Sequence, residues 1–371
     1  MTYYFDNSST TPLLPEVIEL MNEINESFYG NPSSIYAIGR KSKIIIENAR
    51  EKIASFIKAE PNQIIFTSSG TESNNQVLWS FVGNKRNHVI SSLIEHPAVT
   101  KVLQRLNEYG LEYDLIDVDK RGVISIPSLK SNIRPSTGLI SIMLANNELG
   151  TIQPLDEVIN IAKENDILVH SDAVQCFGKV ELNMSTLLVD FLSLSSHKFY
   201  GPKGVGILYV RNPKRLKSFV IGGSQENGLR AGTENISSIA GTSLAAEKVT
   251  KSMYNKKKHI YKLEARFKSG LFKIYPKAIY NGSQKKKLPG LLSVSFPGNK
   301  SSILMAKLND KGISVSNGSA CGSGNIQSSP VLKAIGLNDK INLCTLRFSF
   351  GQFNTVNEID YLLNELHGIL K

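Results

Sequence analysis

VDFLSLSSHKFYGPKGVGILYV, residues 189–210, places two apolar runs on either side of a polar turn. The first run, VDFLSLSS (189–196), ends in hydroxyl side chains and runs directly into His197 and Lys198. A Gly-Pro-Lys-Gly turn then leads into the second run, VGILYV (205–210). Short runs rich in β-branched and aliphatic residues, bounded by turn residues, read as strands. Lys198 therefore stands at the mouth of a strand, beside groups able to hold an anion.

The same texture extends outward in both directions. QIIFTSS (63–69), HVISSLIE (88–95), LEYDLIDVD (111–119), GLISIMLAN (138–146) and DILVHSDA (166–173) are further strand-like runs, separated by helical patterns such as Ile44–Ile57. Several are apolar throughout rather than alternating, which implies that both faces are covered. This pattern predicts an α/β fold, a mostly parallel sheet sandwiched by helices. Ligands bind such sheets at the carboxyl ends of the strands. Polar residues gather at those ends: Ser68–Glu72, Glu95–His96, Asn146–Glu148, Asp172–Gln175 and Ser195–Lys198. The texture changes near residue 250. A long charged helical stretch over 244–274 leads into LLSVSFP (291–297), GISVSNGSACGSG (312–324) and TLRFSFG (345–351), and the chain ends in a helical pattern over Val356–Leu370. The division expected is a large domain over 15–250 and a smaller α+β domain formed by 1–14 and 251–371.

A chain of 371 residues is long for one domain and comfortable for two. Its hydrophobic and charged fractions, 41% and 20%, are those of an ordinary globular protein, and no stretch has the length of apolar sequence a membrane helix needs. The opening MTYYFDNSSTTP lacks the basic and apolar regions of a secretory signal. Cys176, Cys321 and Cys344 form neither a disulfide framework nor a metal-ligand spacing, so no metal is expected and the cytoplasm is the expected compartment. The net charge of +11 comes partly from short runs, Lys256–Lys258 and Lys285–Lys287. These read as a solvated helix face and a solvated loop, with an acidic partner or RNA as the other reading. No aromatic residues interleave with them, so direct nucleic-acid binding is not expected.

Each polar cluster has a structural and a chemical reading. FTSSGTESNN (66–75) puts hydroxyls and free backbone N–H groups at the start of a helix, which suits a phosphate and equally suits an ordinary turn. Asp172 ends a very apolar strand and needs a cationic partner, either a salt bridge or a protonated pyridine nitrogen. His96 in EHPAVT is a structural histidine or a group that stacks on a ring and shuttles protons. Lys198 is a surface lysine or an amine with a lowered pKa that forms a Schiff base, with Ser195 and His197 beside it for a phosphate. Taken together, a phosphate cradle, an acid, a histidine and a lysine at the strand ends of one sheet match the needs of pyridoxal 5′-phosphate.

At this point the chain is seen to resemble the class V, fold-type I pyridoxal-phosphate enzymes, and within them the NifS/IscS-type cysteine desulfurases. The likeness runs nearly end to end and includes FDNSSTTP (5–12), YGNPSS (29–34), FTSSGTES (66–73), EHPAV (95–99), NNELGTIQP (146–154), HSDAVQ (170–175), SSHKFYGPKG (195–204), GLRAGTEN (228–235), NGSACGSG (317–324) and LRFSFGQF (346–353). The resemblance implies that Lys198 joins the cofactor, Asp172 pairs with its pyridinium nitrogen, and Gln175 and Asn147 face its phenolic oxygen. It implies that His96 stacks on the ring, and that Gly70, Thr71, Ser195 and His197 hold the phosphate. Thr233 would reach the phosphate of a second subunit, implying a homodimer with shared sites. Arg347 would clamp the carboxylate of the L-cysteine substrate.

Cys321 would then attack the substrate sulfur, taking it as a persulfide and releasing L-alanine. The sulfur would pass to an acceptor protein, for iron–sulfur cluster assembly or tRNA thiolation. Cys344 and Cys176 are read as packing residues. Two departures from the family pattern bear on that acceptor: GSGNIQSSPVLKAIG (322–336) follows Cys321, and Tyr36 stands where the family often carries histidine. The runner-up activity is a selenocysteine lyase or a related aminotransferase. A reading of another class, a catalytically idle sulfur-relay scaffold, has no need of Lys198.

Overall fold

A computed structural model describes residues 2–317 and 327–370. In chain order its elements are β1 (Tyr3–Tyr4), α1 (Pro15–Ser27), α2 (Ala37–Ile57), β2 (Ile64–Thr67), α3 (Gly70–Trp79), β3 (His88–Ser92), α4 (Pro97–Asn107), β4 (Glu112–Ile116), α5 (Ile126–Ser131), β5 (Thr137–Ser141), α6 (Leu155–Glu164), β6 (Leu168–Asp172), β7 (Phe191–Ser195) and β8 (Gly206–Val210). There follow α7 (Ile236–Lys251), α8 (Met253–Ile274), β9 (Ile279–Asn281), β10 (Leu291–Ser295), α9 (Ser301–Asp310), β11 (Ile313–Ser314), α10 (Pro330–Ala334), α11 (Asp339–Asn342), β12 (Thr345–Ser349) and α12 (Val356–Ile369). None of the described helices is long and apolar enough to cross a membrane.

Seven strands form one sheet in the order β2-β8-β7-β6-β5-β3-β4. All neighbours run parallel except β8, which is antiparallel to both β2 and β7. Every residue of β2, β3, β5, β7 and β8 is buried, as a sheet covered on both faces requires. The edge strand β4 differs: Glu112 is exposed and only Ile116 is fully buried. Helix α2 shows how the covering works. Ile46, Ala49, Ile53 and Ile57 recur at helical spacing and are buried, and Lys58 closes the helix in the left-handed conformation.

A second sheet, β12-β10-β9, is antiparallel, and β1 pairs with β11 in a small parallel ladder. Their apolar residues form a separate cluster with those of α8, α9 and α12, built around Phe267, Phe296, Phe348 and Leu362. Phe5, from the start of the chain, is fully buried inside it. Backbone bonds from Asn7 N–H to the Ser349 carbonyl (3.3 Å) and from Ser349 N–H to the Phe5 carbonyl (2.7 Å) stitch the N-terminal segment to β12.

Two expectations are corrected. The stretch over 244–274 is two helices rather than one. Ser252 interrupts it: its hydroxyl (2.5 Å) and its N–H (3.2 Å) both donate to the Lys248 carbonyl, and α8 starts at the next residue. The run Lys285–Lys287 is not wholly solvated. Lys287 is buried, and its ammonium donates to both oxygens of the buried Glu264 (3.0 and 2.8 Å) and to the Leu288 carbonyl. Burial pulls the Lys287 pKa down, and the adjacent Lys287 and Lys268 charges hold the Glu264 carboxyl below its ordinary value against the burial that raises it.

Breaking a buried pair strands a charge, whereas replacing both partners with apolar groups of similar size does not. Glu264→Ala is therefore expected to lower unfolding free energy by about 3–5 kcal/mol, and the double change Glu264→Leu with Lys287→Met to recover most of that loss. Urea denaturation of the three proteins checks both expectations.

Candidate active site

The carboxyl ends of β2, β3, β5, β6 and β7 open onto one cavity of about 290 Å³. At one wall, β2 gives way to α3 across Ser68 and Ser69. Ser69 caps the helix by accepting the Glu72 N–H (3.1 Å). Gly70 leaves this turn clear: a Cβ there would stand 2.5 Å from Val174 Cγ2 and 3.5 Å from Ser195 Cβ. Gly206, at the start of β8, is as confined, since its Cβ would lie 2.4 Å from the Ser69 carbonyl carbon. Gly70, Thr71, Ser195 and His197 all line the cavity. The His197 pKa is pushed down to about 4 by burial and by the Lys198 and Lys203 charges, so its imidazole is neutral near pH 7. Its Nδ1 lies 3.1 Å from the Thr10 hydroxyl.

Asp172 ends β6 with both oxygens fixed. Oδ2 accepts from Asn74 Nδ2 at 2.7 Å and Oδ1 accepts the Val174 N–H at 3.0 Å. Across the cavity, His96 is the N-cap of α4, its Nδ1 accepting the Ala98 N–H (3.1 Å). A backbone donor on Nδ1 places the proton of the neutral ring on Nε2. Burial lowers the His96 pKa, with Asp172 opposing and Lys198 assisting, so the ring is neutral.

Lys198 ends a single 3₁₀ turn, Ser196–Lys198, that follows β7. Its ammonium donates to the carbonyls of Ser8 and Ser9, each at 2.7 Å. Burial, then the charges of Arg347 and Lys179, push its pKa down to about 7, against the pull of Asp6 and Asp172. Arg347, in β12, is buried with Nη2 on Asp6 Oδ1 (2.7 Å) and Ser9 Oγ (2.6 Å) and Nη1 on the Asn147 carbonyl (2.9 Å). Its Nε is buried and unpartnered, as is Asn147 Oδ1. Gln175 lines the cavity but commits its Nε2 to the Ser8 carbonyl (2.8 Å).

The fold thus gathers Gly70, Thr71, His96, Asn147, Asp172, Gln175, Ser195, His197, Lys198 and Arg347 around one space. Thr233 is not among them: it lines a separate concavity with Ser68, Arg230 and Glu234. Cys321 lies outside the described residues. Cys176 and Cys344 are buried in packing positions, and burial raises the Cys176 pKa. Sequence reasoning missed Asn74, one helical turn beyond Gly70 in TESNN, and the carbonyls of Ser8 and Ser9. It placed Glu95 at a strand end without giving it a role; the buried side chain accepts from Ser92 Oγ (2.6 Å) and from Met143 N–H (3.0 Å).

A mostly parallel sheet whose strand ends assemble a lysine, an aspartate, a histidine and a helix N-terminus defines a class of enzymes built to hold a phosphorylated aromatic cofactor. The sequence pattern of the family described as aminotransferase class-V matches residues 3–362. A cysteine desulfurase IscS from Methanosarcina thermophila is 43% identical over 374 residues, covering 99% of this chain and 92% of that protein. The mitochondrial cysteine desulfurase of Saccharomyces cerevisiae is 38% identical, over 99% of this chain and 75% of its own length. Among solved structures, a NifS-like protein superposes with a TM-score of 0.94 at 38% identity, covering 100% of this chain and 99% of that one. A structure described as SspA in complex with cysteine gives 0.82 at 33% identity over 96% of this chain and 100% of its own. The chain belongs to the class-V aminotransferase family, and within it to the cysteine desulfurases of the NifS/IscS type.

Burial, together with the nearby Asp172 charge, pushes the Glu95 pKa up to about 8, against its hydrogen bonds from Ser92 and Met143. A carboxyl whose pKa is higher folded than unfolded stabilises the fold below its unfolded value and loses that contribution as pH rises through about 8. Thermal melts from pH 5 to pH 9 are expected to show a steeper loss of stability in the natural chain than in Glu95→Gln.

Proposed function

We propose that this protein binds pyridoxal 5′-phosphate through Lys198 and converts L-cysteine to L-alanine, passing the sulfur to Cys321 as a persulfide. The observation that carries this reading is the Lys198 amine: it is held between two carbonyls, has its pKa lowered to about 7, and shares one cavity with Asp172 and His96. The donor set fits the cofactor. Gly70 lets the N-terminus of α3 pack close to Val174 and Ser195 at the cavity wall, and a helix N-terminus there suits a phosphate. Asp172 is anchored from behind by Asn74, ready for a cationic ring nitrogen. Asn147, whose Oδ1 is unpartnered, lines the same cavity on the side of Arg347, with its carbonyl held by Arg347 Nη1.

The bound cofactor would supply an electron sink for charge developing at the substrate's α-carbon. The chain's own groups do the rest. Near pH 7 about half of Lys198 carries a free electron pair, so the amine can give and take protons without prior titration. His96 presents Nε2–H to the cavity and holds a neutral, flat face there. Arg347 Nε is a buried donor left for the substrate carboxylate, with the guanidinium plane locked by Asp6, Ser9 and Asn147.

The overall transfer balances as L-cysteine plus the Cys321 thiol giving L-alanine plus the Cys321 persulfide. A dithiol then returns the thiol, releases hydrogen sulfide and is itself oxidised to a disulfide. A selenocysteine lyase or aminotransferase would not need the Cys321 thiol, and an idle scaffold would not need Lys198 buried at such cost. Thr233, turned away from its own chain's cavity, supports a homodimer in which it serves the partner subunit's phosphate. The large and small domains, the cytoplasmic location and an acceptor protein in iron–sulfur assembly or tRNA thiolation belong to the same proposal.

The test is sulfide and alanine release from L-cysteine by the purified protein, with and without dithiothreitol. Equal yields with sulfide dependent on the reductant are expected. A yellow protein that releases neither product from L-cysteine but acts on another amino acid would overturn the reading. Cys321→Ser is expected to keep the yellow colour and lose sulfide release. Lys198→Ala is expected to lose covalent cofactor and to fall at least about 10²–10⁴-fold in turnover.

A further inference from the structure

A second lysine lies behind the first. After β6 the chain turns so that the Cys176 carbonyl accepts the Lys179 N–H (2.9 Å), which sets Lys179 one turn beyond Gln175. The Lys179 ammonium donates to Gln175 Oε1 at 3.1 Å, and no carboxylate pairs with it among the described residues. It shares with Lys198 the lining of a small enclosed cavity of about 30 Å³, also reached by Lys256 and Lys257 from α8. A partly buried cation whose only side-chain acceptor is a neutral amide costs stability, so its placement asks for a reason.

The hydrogen bonds supply one. An ammonium has donors and no acceptor, so it can meet only the oxygen end of the Gln175 amide. That contact decides which way round the amide sits and turns Nε2 toward the Ser8 carbonyl, where it donates at 2.8 Å. The same Ser8 carbonyl accepts the Lys198 amine at 2.7 Å. Lys179, Gln175, the Ser8 carbonyl and Lys198 thus form one continuous chain of contacts, and the two ends carry like charges. We propose that Lys179 is a positioning residue for Lys198: it orients Gln175, and through Gln175 the Ser8 carbonyl, and its charge disfavours a second charge on the Lys198 amine. This rests on the reading of Lys198 as the cofactor-binding amine.

The charges around the pair are mainly cationic, and Lys256 and Lys257 of α8 line the same small cavity. Lys198 faces Arg347 from β12, Asp6 from the N-terminal segment, Asp172 from β6, and His96 and His197. Lys179 faces the Cys176 thiol and Arg347 as well as Lys198. Burial brings the Lys179 pKa down to about 8, and that of Lys198 to about 7. Both amines are thus drawn down by burial and by the cations around them, and each charge disfavours the other.

The experiment uses the full chain, stripped of cofactor with hydroxylamine, and measures acetylation of Lys198 by acetic anhydride against pH using peptide mass spectrometry. In the natural chain the midpoint is expected near 7. Removing a neighbouring positive charge raises the pKa of an amine, so Lys179→Met and Lys179→Gln are expected to shift the midpoint up by about one pH unit. That slows acetylation at pH 6 about tenfold. Lys179→Arg, which keeps charge and donors, is expected to restore the low midpoint. An unmoved midpoint in folded Lys179→Met and Lys179→Gln overturns the proposal, because lost packing alone would not move it in step with charge. A parallel sample treated with pyridoxal 5′-phosphate and borohydride separates the two failures. Cofactor trapped at a residue other than Lys198 overturns the functional reading, and this inference falls with it.

Discussion

An amine has a pKa near neutrality only where water is largely kept from it and no free carboxylate holds its proton. Lys198 meets both conditions. It is enclosed at a strand end, its hydrogen bonds go to the neutral carbonyls of Ser8 and Ser9, and the groups that act on it most strongly after burial are the cations Arg347 and Lys179. Asp6, the nearest acid of the N-terminal segment, is already engaged by Arg347 Nη2 at 2.7 Å. The packing around it keeps this arrangement in place. Gly70 and Gly206 let the β2–α3 turn pack against β7 and β8, and Asn74 braces Asp172 from inside α3.

Arg347 joins the two cores of the molecule. It lies on β12, whose apolar neighbours Leu346 and Phe348 are fully buried in the cluster of α8, α9 and α12. Its guanidinium reaches the Asn147 carbonyl, beyond the end of β5, and so ties the two sheets at the point where the cavity opens. Any movement of one sheet against the other would change the field at Lys198 and the position of the free Nε together. The orientation of the Arg347 guanidinium and the charge state of the amine are in this way parts of one mechanical unit.

Most of the seven-stranded sheet is legible in the sequence, because its strands are short, apolar and closed by turn residues. The side chains at their ends, Asp172, Ser195, His197 and Lys198, are legible for the same reason: strand ends are where an α/β sheet binds ligands. Backbone partners are not legible. Nothing in FDNSSTTP marks the carbonyls of Ser8 and Ser9 as acceptors for a lysine 190 and 189 residues away. Asn74 is hidden for a related reason, since its partner Asp172 lies 98 residues on. The break at Ser252 depends on one hydroxyl turning back to Lys248, and the burial of Lys287 depends on Glu264 arriving from α8. Pattern and spacing carry local information, and these are contacts between distant segments.

The stitching of the N-terminal segment to β12 makes the surroundings of Lys198 depend on segments from opposite ends of the sequence. Ser8 and Ser9, which hold the Lys198 amine, precede it by 190 and 189 residues, and Lys198 in turn precedes Arg347. Yet the segment is held in place by Ser349, Arg347 and Asn354 near the other end of the chain. The same segment is tied to the end of the seven-stranded sheet as well, by Gln175 Nε2 on the Ser8 carbonyl (2.8 Å) and by the Thr11 N–H on the His197 carbonyl (2.9 Å), so the strap over Lys198 is shared between the two cores.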